Sequence, residues 1–565
     1  MNDIRRTILW VVFGFSLVML WDQWQVHNGR KATFFPSAPP AAATVSAPAS
    51  DVPASVTPPV AAVSGVADVP GTAPSAIPPV AAAPAIARER IEVTTDVMKL
   101  VFDTEGGSVI RSEFLKYSEQ GQPEQPLVLL DDSASRVYLA QSGLIGGPFP
   151  NHKTPMAFSG DRQLADGADE LVVRFESAEA GGVKLVKTYT LRRGSYAVDV
   201  KHEVVNASGA AVSPQVYMQL VRDGNKPEGE STFYSTFTGP AFYTDEKKYQ
   251  KVEFKDIENG KAEFVKSSPD GYVAMVQHYF ASAWLLASNT AHENFARKVD
   301  TNLYAAGMIV PVGEVAPGTS KTLDARLFVG PQEEKMLESI APGLELVKDY
   351  GWLTILSKPL YWLLDKLHGV IGNWGWSIVA LVVLLKIAFY WLNAKAYSSM
   401  AKMKAINPRI MEMRERLKDK PQQMQQEMMR IYREEKVNPM GGCLPIMVQI
   451  PVFIALYWVL LSSVEMRGAP WILWIKDLSV KDPYFILPVI MTLSTLLQTA
   501  LNPQPPDPMQ AKMMWIMPLI FSVMFFLFPA GLVLYWITNN LLSIAQQWII
   551  NTRMGVPPQF NLPKF

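Results

Sequence analysis

The sequence WGWSIVALVVLLKIAFYWLN, residues 374–393, decides the fold class of this chain. It is apolar over about 20 residues, which is the length that a helix needs to cross a bilayer. Its single charged residue, Lys386, would lie roughly 18 Å from Trp374 and roughly 10 Å from Asn393 along such a helix. A lone cation at that depth costs on the order of 2.5 to 3.5 kcal/mol. We therefore expect Lys386 to reach an interface or to face a hydrated cavity.

Four further apolar stretches predict a polytopic membrane protein. None of them contains an Asp or a Glu that could pair with Lys386. Each has roughly the length of one crossing, and the last two form a hairpin about a short turn at Pro529. Their predicted bounds are residues 444–463, 484–501, 513–529 and 532–550, with residues 464–483 as a periplasmic loop.

Residues 1–26 are predicted to be an uncleaved transmembrane anchor. Arg5 and Arg6 precede an apolar run, as in a secretory signal, but the run ends in bulky Trp21 and Trp24 rather than in the small residues of a cleavage site. Because positive charge stays inside, the N-terminus is expected in the cytoplasm. Six crossings then place both termini, including the tail 551–565, in the cytoplasm. A signal cleaved near residues 41–43 is the alternative.

Two segments outside the cytoplasm follow the anchor. Residues 27–89 are rich in Ala, Pro, Val, Ser and Thr and carry little charge over most of their length, which is typical of an extended linker. Residues 90–340 contain short alternating runs, such as VMKLVF at 97–102 and VKLVKTYTL at 183–191. This alternation predicts antiparallel strands in a large periplasmic sandwich, with most of its Lys and Glu on solvated faces. No carboxylate pair suggests catalysis, so a binding or scaffolding role fits better.

Residues 344–368 are predicted to form an amphipathic helix on the membrane surface. The sequence LELVKDYGWLTILSKPLYWLLDKLH places its apolar residues roughly on one face and its charges away from it. Pro359 should kink or split this helix. A helix docked on the sandwich is the alternative.

The segment 394–440 has eleven basic and six acidic residues, and this excess of positive charge predicts a cytoplasmic location. Apolar residues recur at spacings of three and four on both sides of Pro421. These residues are Met403, Ile406, Ile410, Met413, Leu417, Met424, Met428 and Ile431. The pattern predicts an antiparallel hairpin of two helices with a methionine-rich seam. A solvated basic loop that only satisfies topology is the alternative.

Composition argues against an enzyme. The 52 basic and 52 acidic residues balance, the only cysteine is Cys443, and the six histidines are scattered without metal-ligand spacing. The sequence contains no P-loop, no dinucleotide-binding glycine pattern and no nucleophile elbow. We therefore expect no catalytic residues, no cofactor and no metal.

Polar residues inside the predicted crossings are the best candidates for function. The last crossing is the most polar, and Asn539, Ser543 and Gln546 share one of its faces. Such residues usually face the interior of a bundle, where they can also simply hold helices together. A cation without a carboxylate partner favours a hydrated pocket, although Lys386 could instead extend to the cytoplasmic headgroups.

Several motifs resemble the YidC membrane protein insertases of Gram-negative bacteria. They are SMAKMKAINPRIMEMRERL, QEMMRIYREEKVNPMGGCLPIMVQIPVFIALY, DPYFILP, DPMQ and FPAGLVLYWITNNL, within residues 344–551. The resemblance implies a polytopic α-helical membrane protein with six transmembrane helices, five forming the core, and a large periplasmic all-β super-sandwich domain. It also implies a hydrophilic groove that opens to the cytoplasm and the lipid and is closed on the periplasmic side.

The resemblance also assigns roles to residues. Lys386 stands where these proteins usually place a groove arginine, and Trp391 stands where a proline is expected, which puts a kink there in question. The implied groove residues are Lys386, Gln449, Asn539, Ser543 and Gln546. The implied substrate-contacting residues are Pro451, Tyr535 and Trp536. The implied recruitment residues on the hairpin are Lys402, Lys404, Arg409, Arg414 and Arg416.

The implied function is the insertion and folding of integral membrane proteins, alone or with the Sec translocon. The partners would be nascent membrane proteins, the Sec translocon, the ribosome through the basic hairpin, and the phospholipid bilayer. A small-solute transporter is one alternative, although the sequence has no inverted repeats and no intramembrane carboxylate for ion coupling. A structural accessory subunit of the Sec translocon is the other.

Overall fold

The computed structural model describes residues 88–119, 122–227, 236–417, 420–435, 444–502, 508–555 and 560. The predicted anchor at 1–26 and nearly all of the predicted linker at 27–89 lie outside these residues, as does most of the predicted tail at 551–565.

The described part of residues 90–331 forms nineteen strands in two antiparallel sheets, which agrees with the predicted sandwich. The strands are β1 Arg90–Thr94, β2 Met98–Asp103, β3 Ser108–Glu119, β4 Gln122–Val128, β5 Asp131–Asp132, β6 Val137–Ile145, β7 Met156–Gly160, β8 Glu170–Ser177, β9 Val183–Arg192, β10 Ala197–Asn206, β11 Gln215–Asp223, β12 Gly239–Thr244, β13 Lys248–Lys251, β14 Ser267–Ser268, β15 Tyr272–Val276, β16 Phe280–Leu286, β17 His292–Asp300, β18 Leu303–Pro311 and β19 Ser320–Pro331.

The two sheets pack face to face. The ten-stranded sheet runs β1-β2-β3-β6-β11-β18-β17-β14, with β4 on β3 and β5 on β6, and the nine-stranded sheet runs β13-β12-β15-β16-β19-β10-β9-β8-β7. The alternation seen in the sequence is the alternation of burial: on β8, Leu171, Val173 and Phe175 are buried, whereas Val172 and Arg174 are exposed. One face of such a strand therefore supplies the core and the other meets solvent.

Lys187 is an exception to the predicted solvated lysines. It lies on β9 directly opposite His202 of β10, and its side chain points between the sheets, where the residue is 0% exposed. Its Nζ donates to Gly106 O and to Ser142 O, each at 2.6 Å, and so bridges the nine-stranded sheet to the ten-stranded one. No carboxylate among the described residues pairs with it. Burial therefore lowers the pKa of Lys187 to about 7.

This buried ammonium predicts an unusual pH dependence. Between about pH 7 and pH 10 the unfolded chain holds a proton on Lys187 that the folded chain has lost, so wild-type stability should rise with pH. Lys187→Met has no titrating group at this position. Between about pH 7 and pH 10, the free energy of unfolding of wild type should therefore rise by about 3 kcal/mol relative to that of the variant. Urea unfolding of the sandwich in the full chain, followed by pulse proteolysis, measures the difference. The control is Lys201→Met, on an exposed position of β10, and parallel curves for Lys187→Met and wild type would contradict the prediction.

The segment that leaves the sandwich differs from the predicted helix at 344–368. A 3₁₀ turn at Leu344–Val347 packs Leu344 and Val347 into the sandwich core, and a second turn at Gly351–Leu353 precedes the helix. Gly351, at a φ of 67°, redirects the chain, and Asp349 Oδ1 accepts its N–H at 3.0 Å. The helix therefore begins only at Thr354. It continues through Pro359, where the missing N–H removes one backbone hydrogen bond without ending the helix.

Two short helices belong to the sandwich region and eight form the rest of the described chain. They are α1 Phe254–Glu258, α2 Glu334–Ile340, α3 Thr354–Ile371, α4 Trp374–Ala388, α5 Tyr390–Arg416, α6 Pro421–Glu434, α7 Leu444–Ser462, α8 Ile486–Leu501, α9 Pro508–Phe525 and α10 Ala530–Arg553. Helix α10 packs against α4, α5 and α8, and α7 packs along α3.

The predicted crossing at 374–393 is bent. It consists of α4 and the first turn of α5, which meet at Phe389 with a change of direction of 68°. The bend lies close to the point where the apolar sequence ends and the basic segment begins. The polar part of α5 therefore runs in a different direction from α4. Among the described residues no single helix is both long and apolar enough to cross a membrane, and only the α4–α5 pair reaches that length and composition when taken together. The count of six crossings stays a prediction.

The hairpin of α5 and α6 has the seam that the spacing predicts. Ile406, Ile410, Met413 and Ile431 are buried between the two helices, and Met403, Leu417, Met424 and Met428 pack against them. Arg409 of α5 forms ion pairs with Glu434 at 3.3 Å and Glu435 at 2.8 Å, at the C-terminal end of α6.

Candidate substrate groove

Lys386 lies in the last turn of α4 and points into the bundle. The residue is 6% exposed, and its Nζ donates to Ser543 Oγ of α10 at 2.7 Å. The Ser543 hydroxyl donates in turn to Asn539 O at 2.7 Å. In the described part of the chain no carboxylate forms an ion pair with Lys386. The ammonium is therefore buried with a neutral hydroxyl as its partner, and burial of a charge without a counter-charge is costly.

The polar face of α10 reaches three other helices. Asn539 Oδ1 accepts from Gln449 Nε2 of α7 at 2.7 Å, across the gap between α7 and α10. Gln546 Oε1 accepts from Asn393 Nδ2 of α5 at 3.3 Å, and Gln546 Nε2 donates to Lys386 O at 3.4 Å. The structure thus brings together all five residues that the sequence assigned to the groove.

A cavity of about 30 Å³ lies beside this polar face, and we call it the groove. Its lining residues are Val382, Leu385, Lys386, Phe389, Leu392, Asn393, Gln449, Val452, Tyr535 and Asn539. That volume holds one or two water molecules, and the ammonium and amides supply the partners that a buried water needs. A wider cleft of about 530 Å³ lies on the other side of Lys386, between α4 and α10.

The wider cleft is mainly apolar and is lined by α4, α10 and the first residue of α5. Its lining residues are Val383, Lys386, Ile387, Tyr390, Leu542, Ala545, Gln546 and Ile549. Ile387 and Ile549 are exposed, as side chains that face lipid would be. Lys386 therefore lines both the small cavity and the larger cleft, and the walls of both are mainly apolar.

The residues assigned to the substrate-contacting face differ in exposure. Pro451 of α7 and Trp536 of α10 keep part of their surface, whereas Tyr535 is 3% exposed and lines the groove from inside. Phe453 joins the two walls, with its ring centroid 5.9 Å from that of Tyr535 and 4.5 Å from that of Trp536. Tyr535 is thus a lining residue and does not present an open surface.

The loop between α7 and α8 covers the sandwich end of the bundle. Leu478 O and Val480 O accept from Gly531 N at 2.9 Å and from Ala530 N at 2.7 Å, which fixes the loop over the turn between α9 and α10. Buried Asp482 organises the loop by accepting from Trp474 Nε1 at 3.0 Å and from Leu487 N at 2.7 Å. The groove therefore has a covered end on the side of the sandwich.

Polar residues on a neighbouring face of α10 hold helices together. Asn540 Nδ2 donates to Ser494 Oγ at 3.1 Å and to Thr495 Oγ1 at 2.9 Å, and Gln547 Nε2 donates to Leu501 O at 3.3 Å. All three acceptors belong to α8. The alternative interpretation of intramembrane polar residues, as contacts between helices, therefore fits this face.

Asn393 is a groove residue that the sequence reasoning missed. It stands seven residues after Lys386, which is about two helical turns and therefore nearly the same face. That spacing could have identified Asn393 as a neighbour of Lys386 in the groove, although the bend at Phe389 changes the geometry between the two residues.

The basic residues assigned to the hairpin lie along α5. Lys402, Arg409 and Arg416 are exposed, and Arg409 is held by Glu434 and Glu435. Arg414 is half-buried and Lys404 lies on the same helix. A hairpin that presents exposed cations along one helix has the charge to attract a polyanion.

Comparison with known proteins gives a family match over nearly the whole chain. Residues 90–363 match the family model described as YidC periplasmic domain, and residues 366–556 match the model described as 60Kd inner membrane protein. The membrane protein insertase YidC of Cupriavidus necator is 57% identical over 560 residues, which is 98% of each chain. That of Ralstonia nicotianae is 54% identical over 558 residues, again 98% of each. A crystal structure of an active YidC insertase with its first transmembrane domain resolved aligns with 81% of this chain and 92% of its own, at 18% identity and a TM-score of 0.38.

Proposed function

The chain belongs to the YidC family of membrane protein insertases, and from that premise we propose the route by which it passes a substrate into the bilayer. It is an inner-membrane insertase with a periplasmic domain, and it acts on nascent membrane proteins. In the proposed route, the groove widens to admit the hydrophilic flank of the nascent chain, while the apolar segment of that chain passes directly into lipid.

The observation that carries this route is the state of Lys386. An ammonium has three N–H donors, and the described contacts of Lys386 use one of them, on Ser543. A carboxylate from the flank of a substrate would supply the missing counter-charge, and the groove that Lys386 lines also carries the amides of Asn393, Gln449 and Asn539. Attraction to Lys386 thus lowers the desolvation cost of bringing an acidic segment to this depth.

The apolar segment of the substrate leaves between α7 and α9. The outward face of α9 is apolar and exposed, with Ile516, Ile520 and Val523 on it, and Ile450 is exposed on α7. These surfaces offer a substrate helix a path on which its side chains stay in an apolar environment.

Other parts of the proposal concern partners and topology. The exposed cations of α5 attract the ribosome and its RNA by long-range electrostatics. The Sec translocon enters as a partner through the family resemblance. Both termini lie in the cytoplasm because Arg5, Arg6 and Arg553 flank the outermost crossings and positive charge stays inside.

Site-directed photocrosslinking to a stalled nascent chain tests the route. A photoreactive residue at Gln449 or Trp536 should form adducts with the hydrophilic flank and the apolar segment, respectively. The control position is Val370 of α3, which is 88% exposed and faces away from the groove. Adducts from Val370 at the same yield, or none from Gln449, would refute the proposed route.

A further inference from the structure

The end of α7 that faces the sandwich is anchored in the sandwich itself. After α7, the 3₁₀ turn Val464–Met466 places Val464 fully buried in the sandwich core. Arg467 Nη2 donates to Ser118 O of β3 at 2.6 Å, and His278 Nε2 donates to Leu461 O at 2.9 Å. One buried side chain and two hydrogen bonds therefore hold this end of α7 on the sandwich.

Three charged or polar side chains close the same contact, and we call them the junction cluster: Lys348, Tyr361 and Glu465. Glu465 Oε1 accepts from Lys348 Nζ at 3.1 Å and from Tyr361 OH at 2.6 Å. The Nζ also lies 3.9 Å from the centroid of the Tyr361 ring. Lys348 comes from the end of the sandwich, Tyr361 from α3 and Glu465 from the segment after α7, so three elements meet at one carboxylate.

The junction cluster fixes one arrangement of these elements. The side chain of Lys348 is 0% exposed and that of Glu465 is 14% exposed, so both charges are largely removed from water. Removing one member of a buried ion pair is strongly destabilising because the other charge stays buried and uncompensated. Ser462 Oγ donates to Asp349 O at 2.8 Å and adds a hydrogen bond to the same junction.

The far end of α7 forms one wall of the groove. Gln449 lies thirteen residues before Ser462, which corresponds to about 20 Å along the helix. Between these points α7 packs along α3, where Ser357 Oγ donates to Ala455 O at 3.3 Å, and it meets α10 through Gln449 and Phe453. Because α7 is one continuous helix from Leu444 to Ser462, with Pro451 inside it, its position at the junction constrains the position of its groove-lining residues.

We propose that Glu465 is a positioning residue for insertion. The junction cluster sets the height and rotation of α7, and α7 in turn sets the width of the groove opposite α10. This inference rests on the proposed function, because it takes the groove as the path of the substrate. The sandwich thus influences the groove mechanically, through α7, without touching the substrate.

The test measures groove width by the reactivity of a cysteine on its wall. In a Cys443→Ser background, Val452→Cys places a thiol on the groove, and its labelling by a methanethiosulfonate reagent is followed in intact vesicles. Glu465→Gln should raise the labelling rate three- to tenfold and lower insertion of a substrate by a similar factor. The charge swap Lys348→Glu with Glu465→Lys should return both readouts to within twofold of the parent.

A matched control tests whether the effect requires a contact to α7 or follows from weakening any contact between the sandwich and the helices. Lys335 of α2 pairs with Asp365 of α3 at 2.7 Å, so this pair also joins the sandwich to α3 but does not touch α7. Lys335→Met should leave the labelling rate unchanged. An equal effect from Lys335→Met, or an unchanged rate in Glu465→Gln, would overturn the inference.

If Glu465→Gln fails to accumulate, Tyr361→Phe decides the case, because it removes only one hydroxyl from the cluster and keeps the ring. An unchanged labelling rate in that variant overturns the inference. The labelling readout needs neither Lys386 nor a substrate, so its failure is distinct from a failure of the proposed route.

Discussion

Replacing Lys386 with alanine should lower the insertion of a substrate with an acidic translocated tail by about tenfold or more, since the charge that offsets the tail's desolvation is lost. Lys386→Arg should stay within about twofold of wild type, because arginine keeps the charge and differs mainly in its planar geometry. The measurement is insertion into vesicles that contain the purified protein and no other translocase.

Two controls accompany the Lys386 variants. Lys395→Ala removes a nearby cation that lies 3.8 Å from the Trp391 ring centroid and does not line the groove. A substrate with a neutral tail should be inserted nearly equally by wild type and Lys386→Ala. Equal insertion of the acidic substrate by wild type and the alanine variant would refute the role of Lys386.

Gly375→Leu should remove most of the folded protein from the membrane. Gly375 lies in the first turn of α4, and a Cβ there would lie 2.2 Å from Cδ1 and 2.4 Å from Cγ of Trp471. The backbone at Trp471 is held because Asn373 Nδ2 donates to Trp471 O at 3.2 Å, and the Trp376 ring, with its centroid 5.6 Å from that of Trp471, limits movement of the indole. Overpacking of this kind typically costs about 1 to 3 kcal/mol, and a leucine adds three further carbons to the clash.

The level of protease-resistant protein in the membrane measures this effect. Gly369→Leu is the control, because a Cβ at Gly369 of α3 meets no atom within 4 Å. We expect Gly375→Leu to retain less than about a fifth of the wild-type level and Gly369→Leu to retain nearly all of it. A normal level of Gly375→Leu would show that the loop carrying Trp471 is not fixed over α4.

Much of the fold could be predicted from local patterns. Alternation on strands such as β8 predicted the sandwich, and the spacing around Ile406 and Ile410 predicted the hairpin seam, because burial of one face leaves a regular trace in the sequence. The shared face of Asn539, Ser543 and Gln546 was also visible, since it needs only the period of one helix.

Features that depend on distant pairing could not be predicted. Lys348 and Glu465 are 117 positions apart, and nothing local in either segment marks the other as its partner. Lys187 was expected on a solvated face, but its side chain crosses to carbonyl groups of the other sheet.

The bend at Phe389 involves no proline or glycine, so the sequence carried no standard signal for it.

A reciprocal charge swap tests the central claim most directly. Lys386→Glu is compared with wild type in vesicles, using two substrates that differ only in whether the translocated tail carries acidic or basic residues. If the ammonium in the groove receives the tail, wild type should favour the acidic substrate and Lys386→Glu the basic one, so that the preference reverses. The same preference in both proteins would contradict the account.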